Sequence, residues 1–334
     1  MVIIQSYPVA VVLLFITMVC WGSWANTQKL ATKEWPFQLF YWDYALGVLV
    51  LALAFALTLG SIGTAGRSFF VDLGQANGGA LGSAFLGGVV FNLANLLLVV
   101  AIEIAGMAVA FPIGIGLALV IGVVVNYLAT PMGDPVILFT GVALVTTAIV
   151  LDALAYRRLP SESGTATLRG LGISVLAGIL MGFFYRFVAA SMSLDFTSPT
   201  PGKLTLYTAM FVFAIGLLLS NFVWNGYFMR RPVSGEPVTY REYLERGTPR
   251  LHVIGLLGGV IWSIGMSFSI IASNKAGFAI SYGLGQGAPM VAAFWGVFVW
   301  DEFEEAPDGT NTLIGLMFAT FIVGLLTIIY ARVA

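Results

Sequence analysis

The chain has 334 residues, of which 59% are hydrophobic and 9% charged, with a mean hydropathy of +0.95 and a formal net charge of −1. A soluble domain carries about 25% charged residues, so this composition excludes a soluble globular protein and places the chain in a bilayer. No basic tract points to nucleic acid, and the single Cys20 excludes an internal disulfide and leaves no cysteine framework for a metal.

Apolar runs of about 20 residues are long enough to cross ~30 Å of hydrocarbon at 1.5 Å per residue. Ten such spans are expected, at roughly 8–28, 37–60, 80–102, 106–128, 135–156, 170–192, 204–229, 251–273, 276–299 and 311–332. The first lacks a charged n-region and a small-residue cleavage site, so it is read as a span and not as a signal peptide. Residues 1–158 then hold five spans, 159–169 form a short cytoplasmic linker, and 170–334 hold five more.

A repeat organises these halves. Residues 86–120 recur at 257–291 with a constant offset of 171, no gap, and eleven identities in thirty-five positions, among them Gly87 with Gly258, Gly88 with Gly259 and Gly106 with Gly277. Further matches at 174 link Gly141 with Gly315 and Tyr156 with Tyr330, and Trp21-Gly22 lies over Met181-Gly182 at 160. Such long-period self-similarity means duplication. An odd number of spans per half inserts the second half upside down, so the expected fold is all-α and integral to the membrane, ten helices in two inverted five-helix repeats.

Lys and Arg in short loops set the orientation. The loops after spans 1, 5 and 7 carry ten of them, including Lys29, Lys33, Arg157, Arg158 and Arg230 to Arg250, against Arg67, Lys203, Lys275 and Arg332 on the other side. Both termini are therefore expected outside the cytoplasm, in a multi-pass protein of the inner (plasma) membrane. In the longest loop, 230–250, a solvated connector is the expected reading, and a short amphipathic helix over Tyr240 to Arg246 is the alternative.

Polar groups inside spans mark function because an ionised side chain at a span's centre costs about 2.5–3.5 kcal/mol. Asp43 in Y-W-D-Y and Glu103 at the end of span 3 are the expected proton-coupling carboxylates, set against interfacial pairing with Lys29, Lys33 or Arg157. Asp152, near the inner end of span 5, is expected to be an interfacial carboxylate. Asn92 and Asn95 are one turn apart, and eleven residues separate Asn92 from Glu103, three turns plus about 20°, which puts them on one face. Tyr282, Gln286 and Pro289 form a second stripe at i, i+4 and i+7. Arg186 lies well inside span 6 and aligns with Asn26 of span 1. With Trp24, Tyr185 and Trp262, these groups suit a small neutral polar ligand in a midplane cavity bounded by spans 1, 3, 6, 8 and 9. The substrate-binding set is thus Trp24, Asn92, Asn95, Tyr185, Arg186, Trp262, Tyr282 and Gln286.

G-L-G-Q-G at Gly283 to Gly287 lacks the strand and spacing of a nucleotide fingerprint. There is no H-E-x-x-H or G-x-S-x-G, and His252 stands alone at a span edge, where an anchoring role is expected, so no enzyme and no cofactor or metal is implied.

Several stretches resemble the plant ureide permeases and their bacterial relatives, within the drug/metabolite transporter superfamily. They are the first span ending at Trp24, Y-W-D-Y at Tyr41 to Tyr44, L-T-L-G-S-I-G at Leu57 to Gly63, G-G-V-V-F-N-L-A-N at Gly87 to Asn95, V-I-G-V-V-V-N-Y ending at Tyr127, and G-Q-G-A-P-M-V-A-A-F-W-G at Gly285 to Gly296. The resemblance implies ten spans, an inverted repeat and import of small heterocycles such as allantoin or uracil, in plants with protons. It departs from the plant pattern in the central loop, which is short here. The expected function is a proton-coupled secondary transporter acting on a small polar solute, as monomer or homodimer. Sugar-uptake permeases of the same superfamily share the pattern of spans 8 and 9 less closely, which keeps a sugar, or a facilitator without coupling, as the alternative.

Overall fold

The computed structural model describes residues 1–31, 34–159 and 167–334. Lys33 and most of the 159–169 linker lie outside the described residues. The first half supplies α1 (Tyr7–Ser23), α2 (Ala25–Ala31), α3 (Phe37–Leu57), α4 (Phe69–Gln75), α5 (Gly78–Ala105), α6 (Met107–Ala129) and α7 (Pro135–Tyr156). The second supplies α8 (Leu168–Ser191), α9 (Leu206–Asn221), α10 (Trp224–Arg230), α11 (Tyr240–Arg246), α12 (Pro249–Ala276), α13 (Phe278–Gly285), α14 (Ala288–Phe298) and α15 (Thr310–Tyr330).

Nine helical stretches among the described residues are long and apolar enough to cross a membrane. Large side chains on their surfaces are bare, such as Leu128 at 74% and Val136 at 73% exposure, an apolar exterior that suits lipid. The expected span 276–299 is not one helix but two, α13 and α14. Pro289 has no N–H to offer the Gly285 carbonyl, and in the first turn of α14 that missing donor does no harm, whereas α6 runs through Pro112 unbroken. Residues 240–246 do form a helix, α11, where a connector was expected: Thr239 accepts from the Glu242 N–H while the Glu242 carboxylate accepts from the Thr239 N–H, a capping box.

Two compact units emerge, one of Met1–Asn92 and Phe184–Lys275, the other of Leu93–Phe183 and Ala276–Ala334. Each draws helices from both sequence halves.

In the first unit, α5 packs on α9 and α12 packs on α3 through glycines that admit no side chain. A methyl on Gly88 would lie 2.0 Å from the Phe213 carbonyl oxygen, and one on Gly259 would lie 2.0 Å from that of Tyr44. Facing them, a methyl on Gly216 would meet the Phe85 oxygen at 2.2 Å and one on Gly47 the Leu256 oxygen at 2.2 Å. The contacts are reciprocal: Phe85 and Gly88 precede Leu256 and Gly259 by the repeat offset of 171, while Tyr44 and Gly47 precede Phe213 and Gly216 by 169. At one end of this unit Arg67 ties two loops together. It pairs with Asp72 at 2.9 Å and donates to the carbonyls of Pro199 (2.8 Å) and Lys203 (2.6 Å), while the Thr205 N–H and hydroxyl donate to the other Asp72 oxygen.

In the second unit α7 packs on α15 at Gly141 and Gly324, each within 3.0 Å of the opposite helix for an added methyl. Gly122 of α6 makes room for the Tyr282 ring, which a methyl there would meet at 2.1 Å. Buried Asp152 of α7 has Glu302 as its charged neighbour, and Tyr156 donates to Glu302 at 3.0 Å.

Candidate functional site

An aromatic cluster fills the centre of the first unit. Tyr41 and Tyr44, three residues apart, share a face of α3 and stack at 5.0 Å. Trp24, at the junction of α1 and α2, lies 4.9 Å from Tyr44, and Trp262 of α12 is bordered by Trp21 (6.1 Å, stacked), Tyr44 (6.4 Å), Phe91 (4.3 Å) and Phe213 (5.9 Å, stacked). Phe184 of α8 closes the group against Phe91 at 5.0 Å. Phe91 and Trp262 occupy equivalent positions of the repeat, so the two copies meet through the same residue.

Two donors in this cluster, the Trp21 Nε1–H and the Tyr44 hydroxyl, are buried without a hydrogen-bond partner. Buried polar groups are almost always paired, and leaving one unpaired costs about 1–3 kcal/mol, so unpaired groups in a native core call for an explanation. The serines of α12 show the contrast: Ser263 donates to the Val48 carbonyl at 3.3 Å and Ser269 shares a 3.1 Å bond with the Tyr185 hydroxyl, whereas the Ser267 hydroxyl is also unpartnered.

The residues singled out in the sequence fall into two groups. Trp24, Asn92, Tyr185, Arg186 and Trp262 belong to the first unit; Asn95, Tyr282 and Gln286 belong to the second. Trp24 and Trp262 meet around Tyr44. Asn92 is fully buried and fastens α5 to α9, its amide donating to the Leu217 carbonyl (3.2 Å) and the Ser220 hydroxyl (2.9 Å), which leaves its Oδ1 unpaired. Tyr185 is fully buried against Ser269. Arg186 is half-buried and has no carboxylate within ion-pair distance among the described residues. Its counterpart Asn26 donates to the Ser23 carbonyl at 3.0 Å. In the second unit Tyr282 donates to the Met181 carbonyl at 3.0 Å, and Gln286, 7% exposed, sits at the break between α13 and α14. Tyr44 and Trp21 stand outside the substrate-binding set marked out in the sequence, because nothing local distinguishes an unpaired ring donor from an anchoring one.

The two expected coupling carboxylates differ sharply. Glu103 is exposed, two residues before the end of α5, whereas Asn92 on the same face is buried. Asp43 is 2% exposed, and its partners among the described residues are a phenol and an imidazole. The Tyr243 hydroxyl of α11 donates to Asp43 Oδ1 at 2.5 Å, and His252 Nδ1, at the start of α12, lies 2.9 Å from Oδ2. Trp35 packs edge-on against His252 at 5.3 Å. Burial first, and then the Asp43 bond and charge, raise the Tyr243 phenol well above the usual tyrosine value, so it stays a donor at neutral pH. His252 is therefore a partner of Asp43 and not a lone edge anchor. No group of three His, Cys, Asp or Glu side chains able to hold a metal occurs among the described residues.

The family model for ureide permease matches residues 40–164 and 146–331. Ureide permease 1 of Arabidopsis thaliana is 25% identical over 380 residues, which cover 97% of each chain. Ureide permease 4 of the same plant is 24% identical over 96% of each chain, and the probable ureide permease A3 of Vigna unguiculata is 24% identical over 92% of this chain and 99% of its own. A crystal structure superposes with a TM-score of 0.60 over 98% of this chain and 99% of that one, at 15% identity, a likeness of fold alone.

Proposed function

Because the chain belongs to the ureide permease family, we propose that it imports a small planar heterocycle, a ureide such as allantoin or a nucleobase such as uracil, by proton-driven alternating access. Its family is one of permeases, so the chain is a multi-pass membrane transporter and not an enzyme. The observation that carries the substrate reading is the aromatic cluster around Trp262, where flat rings and unpaired donors lie together inside the first unit. A planar amide gains from stacking and can pair those donors, whereas a sugar offers hydroxyls but no flat ring face.

In the first unit the candidates for binding are Trp24, Trp262, Asn92, Tyr185 and Arg186. In the second unit Asn95, Tyr282 and Gln286 are the candidates, Gln286 foremost because it sits where helical backbone is interrupted. Transporters place binding groups at such breaks, where backbone polar groups are freed from the helix.

The architecture proposed is ten crossings in two inverted repeats, 1–158 and 170–334, with α13 and α14 together making the ninth. The reciprocal glycine contacts of α3, α5, α9 and α12 support it, since a two-fold relation between the halves generates each contact twice. Both termini lie outside the cytoplasm, as the Lys and Arg distribution favours. For coupling, the burial of Asp43 and its bonds to α11 and α12 favour it over Glu103.

Reconstituted protein is expected to show saturable counterflow of allantoin or uracil and accumulation driven by an imposed proton gradient. Asp43→Asn should abolish gradient-driven accumulation while counterflow persists. Retention of gradient-driven uptake in both Asp43→Asn and Glu103→Gln removes these carboxylates as couplers, and counterflow of sugars alone removes the heterocycle.

A further inference from the structure

We propose that Trp21 and Tyr44 select the substrate, donating the indole N–H and the phenol O–H to carbonyl oxygens of a planar cyclic amide or ureide held beside Trp262. The proposal rests on the transport reading above and deepens it, since neither residue belongs to the set marked out by the sequence.

The cluster is built from matched positions of the duplicated chain. Phe91 corresponds to Trp262 at an offset of 171, Phe184 to Trp24 at 160, and Phe213 to Tyr44 at 169. Ring contacts repeat accordingly: Phe184 with Phe213 at 6.1 Å matches Trp24 with Tyr44 at 4.9 Å, and Phe91 with Phe213 at 5.7 Å matches Trp262 with Tyr44 at 6.4 Å. In every pair one member is Phe and the other carries an N–H or O–H. The cluster therefore has an apolar side on α5, α8 and α9 and a donor side on α1, α3 and α12.

Packing alone does not require that asymmetry. Phe fills the position equivalent to Tyr44, and a hydroxyl that is 0% exposed and unpartnered is a penalty without a ligand. Trp21 is likewise accommodated at a cost in side-chain volume. Gly265 stands opposite its indole, and a methyl there would lie 2.8 Å from Nε1 and 2.6 Å from Cδ1, while the matching position of the other copy is Ala94. The residue that admits the Trp21 donor is thus a glycine only in the copy that needs it. Indole N–H is a donor and never an acceptor, so the ligand must bring acceptors, and the aromatic faces around it favour a flat one. Carbonyl oxygens on a ring meet both conditions.

The test uses the full-length protein in detergent or nanodiscs, with allantoin and uracil as probes, 2-pyrimidone as the analogue of uracil lacking one carbonyl, and glucose as the sugar control. Wild type is expected to prefer uracil to 2-pyrimidone, and Tyr44→Phe and Trp21→Phe each to weaken uracil binding about tenfold and to narrow that preference, as loss of a buried hydrogen bond does. Tyr44→Phe should leave the thermal stability of the ligand-free protein unchanged or raised, because its hydroxyl bonds to nothing in the protein. A structural role would lower it. Should Trp21→Phe misfold, Tyr44→Phe alone decides. Wild-type binding of uracil or allantoin with both variants unaltered overturns the assignment and leaves the transport reading standing. Wild type that binds neither amide overturns the substrate reading, and this proposal with it.

Discussion

The two copies of the repeated segment can be followed side by side, α5 into α6 and α12 into α13. Both turn at a glycine in a conformation closed to other residues, Gly106 at φ 79°, ψ 157° and Gly277 at φ 83°, ψ 155°. Beyond that hinge they part. The first copy continues as a single helix of 23 residues through Gly114 and Gly116, whereas the second stops at Gly285 and restarts at Ala288. The same pair of glycines is tolerated in one helix and marks the end of the other: Pro289 follows them in the second copy, where the first has Ala118, while Pro112 precedes them inside the unbroken α6. The difference extends to chemistry: Phe111 and Ile115 of the first copy correspond to Tyr282 and Gln286 of the second, and Leu81 corresponds to His252. At these three positions the second copy carries the polar group, whereas at others the first does, as with Asn95 against Met266.

The largest expected effect tests what the copies share. Gly88→Val and Gly259→Val should each abolish folded, monodisperse protein, since even the first side-chain carbon would sit 2.0 Å from a backbone oxygen. Gly172→Ala, where nothing lies within 4 Å, should be neutral or stabilise by up to about 1 kcal/mol through helix propensity. Size-exclusion profiles and thermal melts of the three distinguish a packing requirement from a general intolerance of α-helical glycine replacement.

At the hinge, Gly106→Ala and Gly277→Ala should each cost about 1–3 kcal/mol, the usual price of forcing a side chain into that backbone region. Equal losses in the two would confirm that the copies are matched there. A loss at one alone would mean that the shared angles have different energetic weight. Tyr282→Phe restores the residue of the first copy and removes the bond to the Met181 carbonyl, with an expected loss of about 1 kcal/mol in thermal stability.

Much of this was legible in the sequence. The constant offset and the Gly106–Gly277 identity announced the hinge, and the apolar runs announced the spans. The break in the ninth span was written in Gln286, Gly287 and Pro289, but Gly114 and Gly116 in an unbroken helix show why the glycines alone are ambiguous. The two compact units were not legible, because periodicity reports which face of a helix is buried and not which distant helix buries it. For the same reason the partners of Asp43, Tyr243 and His252, which stand 200 and 209 residues away, are not legible in the sequence. Trp21 and Tyr44 looked like any membrane aromatic until their missing partners were seen.

A further asymmetry lies at the start of the second copy, where His252 and Tyr243 hold Asp43, while the repeat counterparts of His252 and Asp43, Leu81 and Val212, are apolar. Tyr243 holds its proton more tightly folded than unfolded, because burial and the Asp43 carboxylate both oppose a phenolate there. The folded form then binds the proton better, so this contribution to stability is complete below the ordinary tyrosine value of about 10 and declines as pH rises above it. Wild type should lose thermal stability between about pH 9 and pH 11 more steeply than Tyr243→Phe, which has no phenol to ionise. At pH 7, where that contribution is complete, Tyr243→Phe, which deprives a buried carboxylate of a donor, should be the less stable by about 1–3 kcal/mol, and the gap should narrow as pH rises. Parallel melting curves for the two proteins across that range would show that Tyr243 contributes nothing to holding Asp43, and that α11 rests on the protein through its other contacts, such as Tyr240 against Trp42.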